Sequence, residues 1–204
     1  MATKACGQRL EIGVRGAARL TSQLEGNGVS ESRPYLVGPV VQANLGHGLA
    51  VEADALYSRF GYTTSSRDIV GDLYTSRDRA NSWQFPLLLK YRFRSVGQRL
   101  YVLVGWDPEH ATGTTRTNAL VVSNPYDPSY TITYRQYSVD DNYGTNHGLV
   151  AGGGIELGSR HFRVSPEFRY VRWKNCMFSI YQGQGSYLAV PQNELQLLLG
   201  LTRR

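Results

Sequence analysis

"RANSWQFPLLLKYRF", residues 79–93, carries two side-chain rows of opposite character. From Trp83 onward one row is Trp83, Phe85, Leu87, Leu89, Tyr91 and Phe93; the other is Ser82, Gln84, Pro86, Leu88, Lys90 and Arg92. Successive side chains of a β-strand point to opposite faces. One face of this strand is therefore entirely apolar or aromatic, and the other ends in two cations. Which of them is inside decides the fold.

The same period of two recurs along the chain, and long helical periodicity is absent. The first run, Leu10–Leu20, sets Leu10, Ile12, Val14, Ala18 and Leu20 against Glu11, Arg15 and Arg19. Pro34–Leu45 sets Tyr35, Val37, Val41, Ala43 and Leu45 against Gln42 and Asn44. Leu49–Tyr57 sets Leu49, Val51, Ala53, Ala55 and Tyr57 against Glu52 and Asp54. The opening stretch is the fourth run, and Leu100–Trp106 the fifth. Leu149–Leu157 carries Glu156 among small glycines, and Phe162–Tyr170 sets Phe162, Val164, Phe168 and Tyr170 against Arg163, Glu167 and Arg169. The eighth run is Leu195–Leu201.

Links after odd-numbered runs are long (21–33, 61–80, 107–147, 171–192), and links after even-numbered runs are short (46–48, 94–99, 158–161). Eight strands with links in this alternation predict an all-β, eight-stranded, antiparallel up-and-down barrel with one short-turn end and one long-loop end. Outer-membrane barrels have that asymmetry. The run Trp83–Phe93 rises roughly 33 Å at about 3.3 Å per residue, and a tilt near 40° leaves roughly 25 Å of height, the size of their apolar band.

An eight-stranded lumen is only just wide enough for side chains to fill it. Packing Trp83, Phe85, Tyr91, Phe93, Trp106, Phe168 and Tyr170 inside, as a soluble lipocalin-like barrel would, overfills it. The rings are also sorted by height. Tyr35, Tyr57, Trp83, Trp106 and Tyr170 sit at long-loop ends, and Tyr91, Phe93 and Phe162 at short-turn ends, with aliphatic residues between them. Two aromatic girdles around an aliphatic band suit a bilayer. The expected transmembrane barrel is therefore apolar outside and polar inside. Its lumen would hold Glu11, Arg15, Arg19, Glu52, Asp54, Lys90, Arg92, Glu156, Arg163, Glu167 and Arg169. Buried charges need partners. We expect an ion-pair network built mainly from Glu11, Arg15, Glu52, Asp54, Lys90, Arg92, Glu167 and Arg169, joined by Glu156. The plainer alternative is that these groups line a narrow wet lumen.

Composition agrees. The 204 residues read as one domain, 1–204, with a short N-terminal segment, 1–8, and a long outer loop, 107–147. Mean hydropathy is −0.35 and there is no apolar run long enough for a transmembrane helix. The start, MATKACGQRLEIG, lacks the apolar core of a signal peptide, so the chain either stays in the cytoplasm or begins after a removed leader. The net charge is +6, but the cations are interleaved with carboxylates, and no nucleic-acid partner is expected. Two distant cysteines, Cys6 and Cys176, and four scattered histidines build no metal site.

"SRPYLVGPVVQANLGHGLAVEADALYSRFGY", "SWQFPLLLKYRF", "GLVAGGGIELGSRHFRVSPEFRYVRW" and "NELQLLLGLT" together resemble the outer membrane protein β-barrel domain family, small OmpA-like or OmpX-like eight-stranded porin-family barrels of acidobacterial type. The resemblance covers nearly all of the chain except the third long loop. It implies a bacterial outer-membrane location and no cofactor. Members end in an aromatic residue, where this chain ends Leu201-Thr202-Arg203-Arg204.

Some barrels of this size are lipid-modifying enzymes. A hydrolase needs a Ser–His–acid set in mutual reach, and His161, Ser165 and Glu167 are the candidates. Their places in a turn and on a lumenal row favour a structural role, so no enzyme is expected. "GGG" at 152–154 opens no helix; it is expected to leave room for a bulky lumenal neighbour. In the loop 107–147, the runs Ala119–Ser123 and Tyr130–Tyr134 flank the turn Asn124–Pro128 and predict a hairpin. Its tyrosines suit an extracellular partner, or the hairpin only shields the mouth. Arg94, Arg99, Arg160, Arg203 and Arg204 gather at the short-turn end, where anionic headgroups or plain solvent would meet them. Pro39, Pro86 and Pro166 inside strands predict bulges. The expected protein is a monomer among membrane lipids. It makes surface contacts or supports the envelope, with a narrow gated pore, a lipid-modifying hydrolase and a soluble barrel as alternatives.

Overall fold

The computed structural model describes residues 9–21, 28–30, 32–67, 73–93, 99–122, 131–138, 145–158, 161–174, 177–178, 188–189 and 192–203. The strands are β1 (Arg9–Arg19), β2 (Gly28–Ser30), β3 (Tyr35–Gly46), β4 (Leu49–Asp54) and β5 (Leu56–Arg67). They continue with β6 (Leu73–Gln84), β7 (Leu87–Arg92), β8 (Arg99–Val122), β9 (Thr131–Ser138) and β10 (Asn146–Gly158). The last are β11 (Phe162–Trp173), β12 (Met177–Phe178), β13 (Leu188–Ala189) and β14 (Asn193–Arg203). Among the described residues there is no helix.

Eight barrel strands close on themselves, all antiparallel. β1 pairs with β3, β3 with β4 and β5, β4 with β7, β5 with β6, and β6 and β7 with β8. β8 pairs with β10, β10 with β11, β11 with β14, and β14 returns to β1 through Val14↔Leu201 and Ala18↔Leu197. Closure leaves the ring without an edge strand. The tight turn after β3 is built on Gly46, His47 and Gly48, all with positive φ, a conformation glycine adopts freely.

The third and fourth barrel strands are each in two pieces, β4–β5 and β6–β7. The interruptions, at Ala55 and at Phe85 and Pro86, face each other, and Pro39 of β3 stands beside the first. Asp54 N donates to Pro86 O (3.1 Å) and Ala55 N to Pro39 O (3.1 Å). Pro86 has no N–H to give the ladder, so pairing lapses there although the alternation of faces continues. The expected proline bulges are not what forms. The register shifts fall at Asn44/Gly46 and Arg79/Asn81, and Pro166 keeps its register with Leu199 of β14.

Two expected loops are largely sheet. β5 runs on to Arg67 and β6 begins at Leu73, where a link over 61–80 was read. β8 continues sixteen residues past Trp106 to Val122, and β10 begins at Asn146, so the loop 107–147 is strand at both ends. β9 pairs with β8 from Thr115↔Ser138 to Val122↔Thr131, which is the predicted hairpin. Apolar periodicity misses the extensions because Thr, Ser and Arg alternate there on both faces, while the backbone pairing continues. Residues 1–8, Cys6, Cys176, Arg94, Arg160, Arg204 and the turn 124–128 lie outside the described residues.

Candidate functional site

The opening stretch now has an inside. Ser82, Gln84, Pro86, Leu88 and Lys90 are buried, and Trp83, Phe85, Leu87, Leu89, Tyr91 and Phe93 are exposed. Leu87 is 52% exposed while its neighbour Leu88 is 1% exposed. Around the ring the exposed row includes Leu10, Ile12, Val14, Val37, Val102, Val104, Leu149, Leu197 and Leu199. Tyr35, Trp83, Tyr91, Phe93, Trp106, Phe162 and Tyr170 are exposed, and Tyr57 is half-buried against Trp83 with centroids 5.2 Å apart.

The lower lumen, nearest the short turns, is a lattice of charge-assisted contacts. Glu11 Oε2 accepts from Gln42 Nε2 (3.0 Å) and Arg163 Nη1 (3.0 Å), and its Oε1 accepts from Asn44 Nδ2 (3.0 Å). Arg163 also pairs with Glu156 (2.9 Å), which accepts from Arg92 Nε (2.8 Å); Arg92 reaches Asn44 as well. Above this, Glu52 takes three cations. Lys90 Nζ donates to its Oε2 (2.8 Å) and Arg169 Nη2 to its Oε1 (3.0 Å), and Arg15 bonds to the same Oε1. Arg15 Nη1 donates to Asp54 Oδ2 (2.7 Å), and Arg169 pairs with the same oxygen (2.9 Å) and with Glu167. Tyr101 Oη donates to Glu167 Oε2 (2.7 Å), and Lys90 Nζ lies 4.0 Å from the Tyr101 ring centroid. A Cβ on Gly154 would lie 2.6 Å from Tyr101 Oη, so this glycine does leave room for a bulky lumenal neighbour.

The buried side chains also include apolar ones. Leu88, Tyr101, Leu103, Val150, Val171 and Trp173 form one buried cluster, and Ala17, Leu36, Leu56 and Leu198 another. Trp173 is 0% exposed. A barrel this narrow is filled by side chains, and apolar ones fill it without needing partners.

A second polar group lies toward the long-loop end. Arg19 Nε donates to Glu194 Oε1 (2.8 Å), its Nη1 to Ser58 Oγ (3.2 Å) and its Nη2 to Glu109 Oε1 (3.4 Å). Ser82 Oγ donates to Glu109 Oε1 (2.6 Å), and Trp173 Nε1 to Glu194 Oε2 (3.0 Å). Gln196 Nε2 donates to Glu194 Oε1 (2.8 Å) and Gln84 Oε1 (3.3 Å). Asp107 Oδ1 and Glu109 Oε2 are buried without a hydrogen-bond partner.

Asp107, Glu109, Glu194 and Trp173 were absent from the expected lumen. Each continues an inward row by two residues. Asp107 and Glu109 follow Tyr101, Leu103 and Gly105; Glu194 precedes Gln196; Trp173 follows Arg169 and Val171. The phase was available, but the apolar rows that marked the strands stop short of them.

The hydrolase candidates are not assembled. His161 is exposed beside a turn, Ser165 and Glu167 are buried on β11, and roughly 13 Å of strand separates His161 from Ser165 at about 3.3 Å per residue. Among the described residues no group of His, Cys, Asp and Glu suits a metal ion.

A closed antiparallel barrel with a greasy exterior and a filled, charged lumen is the build of a small outer-membrane barrel. The chain belongs to the outer membrane protein beta-barrel domain family, whose model matches residues 4–172, and its place is the bacterial outer membrane. No curated protein matches it. Among solved structures it is similar to neisserial surface protein A, at 12% identity over 97% of this chain and 98% of that one (TM-score 0.43). It is also similar to the N-terminal barrel of OprF from Pseudomonas aeruginosa, at 14% identity over 97% and 98% (TM-score 0.36). A third is Ail, the attachment invasion locus protein of Yersinia pestis, solved with the heparin analogue sucrose octasulfate, at 10% identity over 96% and 96% (TM-score 0.35).

Proposed function

We propose that this is a non-enzymatic outer-membrane barrel whose lumen is stoppered by its ion-pair lattice. Its long-loop end would face outward, for surface contact or envelope integrity. The supporting observation is the lattice of Arg15, Glu52, Asp54, Glu167 and Arg169, which ties β1, β4 and β11 together across the lumen. Opposed strands bridged at a barrel's centre leave no wide passage between them. The dispersed His161, Ser165 and Glu167 argue against hydrolysis, and the exposed apolar band argues against a soluble ligand-binding barrel. The β8–β9 hairpin gives the long-loop end a surface on which to meet a partner. The protein would act as a single-domain monomer, with no cofactor.

Planar-bilayer recording of the reconstituted chain tests the stopper. The expected trace is closed, with rare small openings, and a steady large conductance overturns it. A narrow gated pore is the second reading, favoured by Arg19 being the one cation, among the described residues, paired with Glu109 and Glu194 near the mouth. Arg19→Gln raising the opening frequency at least severalfold would favour that pore.

A further inference from the structure

Buried carboxylate oxygens need donors, and the upper lumen supplies them unevenly. Glu194 is fully served. Its Oε1 accepts from Arg19 Nε (2.8 Å) and Gln196 Nε2 (2.8 Å), and its Oε2 from Trp173 Nε1 (3.0 Å). Glu109 is half served. Its Oε1 accepts from Ser82 Oγ (2.6 Å) and Arg19 Nη2 (3.4 Å), while its Oε2 is buried without a partner. Asp107 has no ion pair among the described residues, and its Oδ1 is buried without a partner. The surrounding charges do not supply what is missing. Those facing Asp107 are Glu109 on β8, Arg169 on β11, Glu194 on β14 and Asp54 on β4, and Arg19 on β1 faces Glu109. Arg169 is already paired with Glu52, Asp54 and Glu167. β5, β6 and β10 bring Ser58, Ser82, Gln84 and Asn146, which carry no charge. Three carboxylates therefore stand with the guanidinium of Arg19, two positive charges short among the described residues.

A buried charge without a partner costs far more than a neutral buried carboxyl, so such a group takes up a proton instead. We propose that Asp107 and Glu109 form a proton-binding site, each holding one proton at neutral pH, while Glu194 and Arg19 stay an ion pair. Water supplies the protons, one to an oxygen of Asp107 and one to the free Oε2 of Glu109. A protonated Glu109 keeps Oε1 as an acceptor for Ser82, so that hydrogen bond is retained. The site makes the barrel sensitive to acidity. A carboxyl that keeps its proton in the fold releases it on unfolding above roughly pH 4, where free carboxyls ionise. The unfolded chain then binds fewer protons than the fold, so stability falls as pH rises. The fall continues until Asp107 and Glu109 ionise in the folded barrel as well. The site stands whether or not the lumen conducts.

The test uses the full chain folded in an ester-free detergent, because lipid ester carbonyls absorb beside the band of interest. Infrared spectra at neutral pH should show the carbonyl stretch of protonated carboxyls, which ionised carboxylates lack. The band should fade as pH is raised. Asp107→Asn and Glu109→Gln should each remove part of it, and the double variant should abolish it. Urea unfolding at a series of pH values gives a second readout. Between about pH 5 and 7 the wild-type unfolding constant should rise with pH by up to about tenfold per unit for each held proton. The double variant should lose that slope. The four histidines are common to both chains, so the difference between them reports the site. Should the double variant fail to fold, each single variant should still lose part of the band and part of the slope. A wild type without the band at neutral pH, a band unchanged in the variants, or equal slopes in wild type and variants would overturn the site.

Discussion

The two polar parts of the lumen are built on different terms. In the lower part five carboxylates, Glu11, Glu52, Asp54, Glu156 and Glu167, meet five cations, Arg15, Lys90, Arg92, Arg163 and Arg169, and each carboxylate has at least one ion pair. In the upper part Glu109 and Glu194 share Arg19, and the third carboxylate, Asp107, has no ion pair among the described residues. A buried charge stabilises a fold only where its partners offset its desolvation. The lower lattice meets that condition, and the upper group meets it only in part. The lower part is therefore suited to hold the strands together, and the upper part is where a change of state would cost least. The apolar clusters around Leu36 and Leu103 complete the filling of the lumen.

This contrast can be broken in three places. The largest effect is expected at Glu52, because its removal takes a carboxylate partner from Arg15, Lys90 and Arg169 at once. Glu52→Ala should destabilise the barrel by about 3–5 kcal/mol in urea titrations followed by tryptophan fluorescence, the usual cost of breaking a buried pair. A loss near zero would mean that the lower lattice is solvated rather than structural. Next comes the outer wall. Leu89→Arg places a cation on the middle of the apolar band and should cost about 2–4 kcal/mol in lipid vesicles. If that substitution is tolerated, the exposed row does not face hydrocarbon.

The smallest effect is expected at Asp107. It has no ion pair among the described residues, and its Oδ1 has no hydrogen-bond partner. Replacing a buried carboxyl that has no ion pair removes a desolvation penalty and leaves no cation stranded. Asp107→Asn should therefore be neutral or stabilising, within about 1 kcal/mol. Destabilisation as large as that of Glu52→Ala would show that the two parts of the lumen are equivalent after all.

Much of this was legible before any coordinates. Alternation placed eight strands in order, and the inward rows named Glu11, Arg15, Glu52, Lys90, Glu167 and Arg169. Strand ends were legible only while one face stayed apolar. Beyond Trp106 and Tyr57 apolar residues no longer recur along one face, so β8 and β5 run further than periodicity shows, and Asp107 and Glu109 fall within the expected loop 107–147. Trp173 was missed for a similar reason, since it lies past the last exposed ring of its strand.

The amino-acid order alone determined which residues share a face, because the pleat of a strand has a period of two whatever surrounds it. It did not determine who meets whom across the lumen. That Arg169 reaches Glu52 from a position 117 residues away, or that Arg19 bridges Glu194 and Glu109, follows from the register and closure of the ring. Register is a property of paired strands, and one strand read alone carries no record of its neighbour's offset.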